Sequence, residues 1–147
     1  MSTSNPNPNK PLRTAFISAL KVAGNVEVWS KLVPRNVKPI PDQYILITTQ
    51  TKTRVAVAKP TDQLYDNFNW LVSTTIDMYN FSPAGYSNPG KNDDLEELIT
   101  LAIENILVPG WAIKSRIFVQ SLDLDVNTTE NFIERRVITY QHWIEKL

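Results

Sequence analysis

The apolar positions of the chain fall first into a helical rhythm. Leu12, Phe16, Ala19, Leu20 and Ala23 recur at helical spacing, which predicts an amphipathic helix from about Pro11 to Ala23. Pro11 suits the first turn, and Gly24 with Asn25 stops the helix as a left-handed cap would. The rhythm then becomes that of strands. Val26 to Ser30 predicts a short first strand and Tyr44 to Thr51 a second, nearly all apolar or β-branched and so central in its sheet. Between them stand Pro34, Pro39 and Pro41. Proline lacks an N–H and fixes φ, so this stretch is neither helix nor central strand, and the two strands need not form a tight hairpin. Thr53, Val55 and Val57 alternate with Arg54, Ala56 and Ala58, so the second strand either runs on to Ala58 or pairs with a short extra one.

Phe68 to Tyr79 alternates strictly. Trp70, Val72, Ile76 and Met78 share one face, and Leu71, Ser73, Thr75, Asp77 and Tyr79 share the other. A breaker-rich loop over 81–91 follows. A second helix is expected from Asn92, Asp93 and Asp94, an N-cap with acids in the first turn, through a stripe of Leu95, Leu98, Ile99, Ala102, Ile103 and Ile106. Val108, Pro109 and Gly110 end it. Ala112 to Asp125 and Asn131 to Trp143 are the closing strands, joined by a turn over 127–131. Two amphipathic helices can cover one face of such a sheet. The fold class expected is α+β, two-layer, with a mixed or antiparallel sheet. Residues 1–10 are expected to be a flexible polar tail and 11–147 a single domain.

Composition narrows the function classes. The 147 residues contain no cysteine, one histidine and four glycines. Disulfides, thiolate zinc sites and a glycine-rich phosphate loop are therefore excluded. No apolar run is long enough to span a bilayer as a helix, and the first residues do not resemble a secretory signal. Net charge is zero, yet residues 1–60 carry nine Lys/Arg against two acids, and 61–134 carry twelve acids against three Lys/Arg. Opposite surpluses on one subunit suit packing in which one copy's basic face meets the next copy's acidic face.

The candidate chemistry is thin. His142 could pair in space with Asp77 or Asp125 as a hydrolytic dyad, though a structural histidine needs no partner. Asp123, Asp125, Asn127, Thr129, Asn131 and Glu134 sit at the offsets of a calcium loop. Thr128 occupies that loop's glycine position, Glu130 its apolar one, and strands rather than helices flank it, so a strand hairpin is the simpler reading. Asp93, Asp94, Glu96 and Glu97 read as a solvated helix start. The Asn127 acceptor motif carries no weight without a secretion signal. Trp29, Trp70, Lys52, Arg54 and Lys59 could form a single-strand nucleic-acid platform, the rival to a subunit interface.

The block Val26, Val28, Trp29, Leu32, Val33, Pro34, followed by Pro41, Tyr44, Ile45, Leu46 and Ile47, resembles the opening of the tail terminator, or tail completion, family of tailed bacteriophages. The strand from Trp70 to Tyr79, the helix over 93–107 and the strand from Arg136 to Tyr140 follow in the family's order, so the resemblance covers 11–143. The connections over 52–67 and 81–92 are longer than the family's, and the Asn/Pro tail is extra. A neck connector ring could reuse the same fold. The resemblance implies a structural virion protein: a homo-oligomeric ring, typically a hexamer, with a dodecamer as the other option, joining phage tail to head. It implies neighbouring neck, tail-tube or connector proteins as partners, and DNA passing through the lumen without sequence-specific binding. It implies no enzymatic activity, no cofactor, no metal and no membrane, and a location at the virion neck or tail end after synthesis in the host cytoplasm. Pro34, Pro41 and Tyr44 transfer as structural positions alone. The expected subunit interface draws on Trp29, Arg35, Lys52, Arg54, Lys59, Tyr65, Tyr86, Asp93 and Asp94. The loops over 51–67 and 81–92 are expected to meet neighbouring rings, and the N-terminal tail an adjacent subunit.

Overall fold

A computed structural model describes residues 7–55, 69–83, 90–127 and 131–147. The elements run α1 (Asn9–Gly24), β1 (Glu27–Ser30), β2 (Gln43–Arg54), β3 (Asn69–Pro83), α2 (Gly90–Glu104), β4 (Trp111–Asp123), β5 (Val126–Asn127) and β6 (Asn131–Lys146). The sheet order is β1-β2-β3-β6-β4, with β5 continuing the hairpin against β6. β1 and β2 pair in parallel, and the other pairs are antiparallel. The sheet is therefore mixed and the fold α+β. The parallel pair explains the proline stretch. Parallel neighbours need a crossover of a dozen or so residues, and 31–42 supplies it without a helix, with a cis bond at Lys38–Pro39.

α1 ends as expected. Asn25 takes φ 50°, ψ 46°, the left-handed cap that a short polar side chain tolerates. Gly24, the last helical residue, approaches α2 so closely that an added Cβ would lie 2.9 Å from Leu95 Cδ1. Both helices lie on one sheet face. Leu12, Phe16 and Leu20 from α1 and Leu95, Ile99 and Ile103 from α2 are buried against Ile45, Ile47, Val72, Ile76, Met78, Ile138 and Ile144. The even-numbered row of β3 supplies this core, the face that alternation assigned to it.

Several expected details change. α2 begins at Gly90, so Asn92 is a buried helical residue rather than the N-cap. Leu98 is 54% exposed and does not belong to the core stripe. β2 ends at Arg54, and the proposed continuation over 56–58 lies outside the described residues. β6 extends to Lys146. Strands flank the Asp123 region on both sides, so the helices of a calcium loop are not there.

Candidate functional site

His142 belongs to the core. It is fully buried on the helix side of β6, its ring edge-on to Phe16 with centroids 5.4 Å apart. Neither ring nitrogen has a full hydrogen bond among the described residues. Burial pushes its pKa down to about 4, the Ile103 backbone offsets part of this, and Arg116 adds to it. Asp77 stands on the opposite face of the sheet. Arg135 donates to its two oxygens at 2.9 and 2.8 Å, and the Tyr79 hydroxyl donates at 3.2 Å. Asp125 accepts from the Arg135 amide at 3.1 Å, and Arg135 lies seven residues along β6 from His142, roughly 23 Å at strand rise. The alternative dyad of His142 with Asp77 or Asp125 therefore does not form, and His142 is the structural histidine expected. A buried carboxylate left without its guanidinium is costly, so Asp77 and Arg135 hold one another as structure.

The aromatic platform also divides. Trp29 lies on the face away from the helices, beside Tyr44 at 5.9 Å, and Tyr44 stacks on Tyr79 at 5.0 Å and on Phe81 at 6.0 Å. Burial pushes the Tyr44 and Tyr79 hydroxyls up, and Arg135 rests on the Tyr79 ring at 5.6 Å. Trp70 is on the helix side, with Lys52 and Arg54 over its ring at 5.2 and 5.5 Å. Trp29 is in register with Leu46 and Trp70 with Arg54. Eight residues of β2 separate those positions, roughly 26 Å. Trp29 and Trp70 cannot serve one strand of nucleic acid as a single stacking surface.

The remaining interface candidates occupy three places. Arg35 is exposed in the crossover. Lys52 donates to Asn7 Oδ1 at 2.7 Å near the start of α1. Asp93 and Asp94 are exposed at the start of α2, and Asp93 is held by Arg136 at 2.7 Å. Arg136 also donates to Asp123 at 2.7 Å and lies 3.6 Å from Glu96. Burial alone would lower its pKa. The bonds to Asp123 and Asp93 outweigh that, and the net direction is up. Lys59, Tyr65 and Tyr86 lie outside the described residues.

The antiparallel helices sort the charges by place. The end of the sheet where α1 begins carries Lys10, Arg13, Lys52, Arg54, Lys114 and Lys146 against Glu104 and Glu145. The corner formed by the start of α2 and the β4–β6 hairpin carries Asp93, Asp94, Glu96, Glu97, Asp123, Asp125 and Glu134 against Lys91, Arg135 and Arg136. Part of the asymmetry along the chain thus survives in space. The crossover corner, with Lys31, Arg35 and Lys38 beside Glu27 and Asp42, is mixed.

Sequence reasoning missed the exposed apolar surface. Val22 is 82% exposed and Leu107 81%, and both border a groove of about 820 Å³ between the helices. Ala23 and Ala102, read as core, line this groove instead, and Ala19 both packs against the core and borders the groove. A second patch lies on β4 and its continuation, where Leu122, Leu124 and Val126 are exposed. The signal was there: α2 carries Leu98 and Leu101 besides its core stripe, more apolar residues than one face can bury.

No protein-family model and no curated protein matches the sequence. Among solved structures, the fold is similar to a chain in the virion of a native gene transfer agent particle. That chain is 10% identical, with a TM-score of 0.57 over 93% of this chain and 90% of the other. A second solved chain, 15% identical, covers 96% of both at a TM-score of 0.46. At these identities the likeness concerns the fold.

Proposed function

We propose that this chain is a structural subunit of a phage-type particle, and that its copies close a ring at the junction of tail and head around the DNA channel. One observation carries the reading: nearly the whole chain shares its fold with a chain of a gene transfer agent virion. The tail-terminator resemblance of the segments over 26–34 and 41–47 supports it from a separate direction, because 10% identity leaves little sequence for the fold match to use.

The mechanism is geometric. Unlike surfaces on one subunit meet in a head-to-tail contact, and the contact repeats until the rotation closes. A hexamer is the ring proposed, with a dodecamer as the alternative. Acidic side chains toward the lumen would repel phosphate and keep the duplex sliding, whereas a basic lumen would grip it. The buried titratable groups have structural work: His142 fills the core, and Asp77 is neutralised by Arg135.

Particles assembled without this protein provide the test. Electron micrographs are expected to show overlong tails or heads without tails. Normal tails joined to heads in its absence would refute the reading. Among the described residues, the nucleic-acid rival keeps the Lys52, Arg54 and Trp70 cluster. Oligonucleotide binding that weakens steeply with salt and is lost in Trp70→Ala would favour it.

A further inference from the structure

The exposed apolar side chains of the helical layer and of the hairpin form two unlike patches. In the helical layer, Val22 and Leu107 border the groove between α1 and α2. Its floor is built from small side chains, Ala15, Ala19 and Ala23 of α1, so a flat apolar strip can approach the helix closely. Lys10 is in its lining and no carboxylate is, and α1 as a whole has three cations and no acid. The other patch lies on the β4–β6 hairpin. β4 is an edge strand, and residues 116–126 are all exposed. Leu122, Leu124 and Val126 form one row of this arm, and Asp123 and Asp125 alternate with them on the other side. The arm is thus an amphipathic ribbon.

The two patches lie on opposite sides of the sheet, because Leu122 pairs with Val137 on the face away from the helices and the groove is in the helical layer. They cannot meet within one chain. An apolar patch and an unlike apolar groove on one subunit define a heterologous contact, which propagates to a ring or a filament.

We infer that the groove between α1 and α2 receives the row Leu122, Leu124 and Val126 of a second copy of this chain. This rests on the ring reading and names its two contacting surfaces. The dimensions agree: the row spans roughly 13 Å and the groove, along α1 from Lys10 to Ala23, roughly 20 Å. With the apolar row on the groove floor, Asp123 and Asp125 stay on the solvent side, so no carboxylate is buried. The acidic corner and the basic α1 attract one another during approach, which selects arm-to-groove over groove-to-groove encounters.

The chain contains no cysteine, which makes the test direct. Leu124→Cys and Val22→Cys are made separately at these exposed sites, then mixed and treated with a short thiol cross-linker. The expected result is a covalent dimer in the mixture and little in either variant alone. Adding Leu122→Ser and Val126→Ser to the arm variant is expected to lower the yield roughly tenfold. A mixture that gives no more dimer than the separate variants overturns the inference, as does efficient linking of Val22→Cys to itself. Failure here is distinguishable from failure of the ring reading. Misassembled particles in the deletion, together with no mixed cross-link, would leave a ring built through another contact.

Discussion

At the scale of single residues, the chain places its one imidazole inside the core and ties the buried Asp77 carboxylate to Arg135. His142 is the clearest case. A buried neutral imidazole is favoured in the folded state, because ionising it would place a charge among Phe16, Tyr140 and the aliphatic core. Its folded pKa of about 4 lies below the ordinary value of 6.5. The unfolded chain therefore binds a proton more readily between those values. The stabilisation is complete above about pH 6.5 and is lost as pH falls toward 4, by on the order of 3 kcal/mol at most. Urea denaturation at pH 7.5 and pH 5 checks this: His142→Leu should remove much of the loss seen in the parent chain. It should cost no more than about 1 kcal/mol at pH 7.5, since the ring gives up only its weak contact with the Ile103 backbone. An unchanged pH slope in the variant would contradict the assignment. Tyr140 shows the same effect of burial, its hydroxyl pushed up to about 12 while it lies 2.8 Å from the Thr100 hydroxyl.

Among the elements, the start of α2 is tied to the hairpin by one side chain. Arg136 is nearly buried and reaches Asp93 on the helix and Asp123 on β4. Its partners are largely exposed, at 68% and 56%, so each separate pair contributes no more than about 1 kcal/mol. Losing the guanidinium removes all of them together with its packing. Arg136→Ala is expected to cost about 2 kcal/mol, while Asp93→Asn or Asp123→Asn costs under about 1 kcal/mol. Denaturation midpoints of the three variants measure the order. Equal effects would mean that packing and charge had been apportioned wrongly.

For the whole molecule, the separation of charge matters more than the net value of zero. In the proposed contact between copies, the acidic corner and the basic α1 end attract over about a Debye length. Raising ionic strength from about 0.05 M to about 0.5 M should therefore slow association of the purified chain, with a smaller effect on dissociation, because the proposed contact itself is apolar. Light scattering after a concentration jump measures both rates. Association that speeds up with salt would remove charge from the account.

The layers and their order were largely readable along the chain. Periods of 3.6 and 2 report which side of a helix or strand meets a core, and Leu12, Phe16, Leu20, Val72, Ile76 and Met78 all do so. The left-handed cap at Asn25 was also legible, since the conformation depends on one residue and its neighbour. What stayed hidden depended on partners far away in the chain. Ala23 and Ala102 look like core at helical spacing, yet the packing of α1 beside α2 turns them toward a groove. Trp29 and Trp70 look like one platform until strand parity and register put them on opposite faces. His142 and Asp77 look like a dyad until the sheet comes between them. Local pattern carries the burial demand of each segment, whereas the pairing of segments distributes that demand in space, and pairing arises from contacts that no short stretch of chain contains.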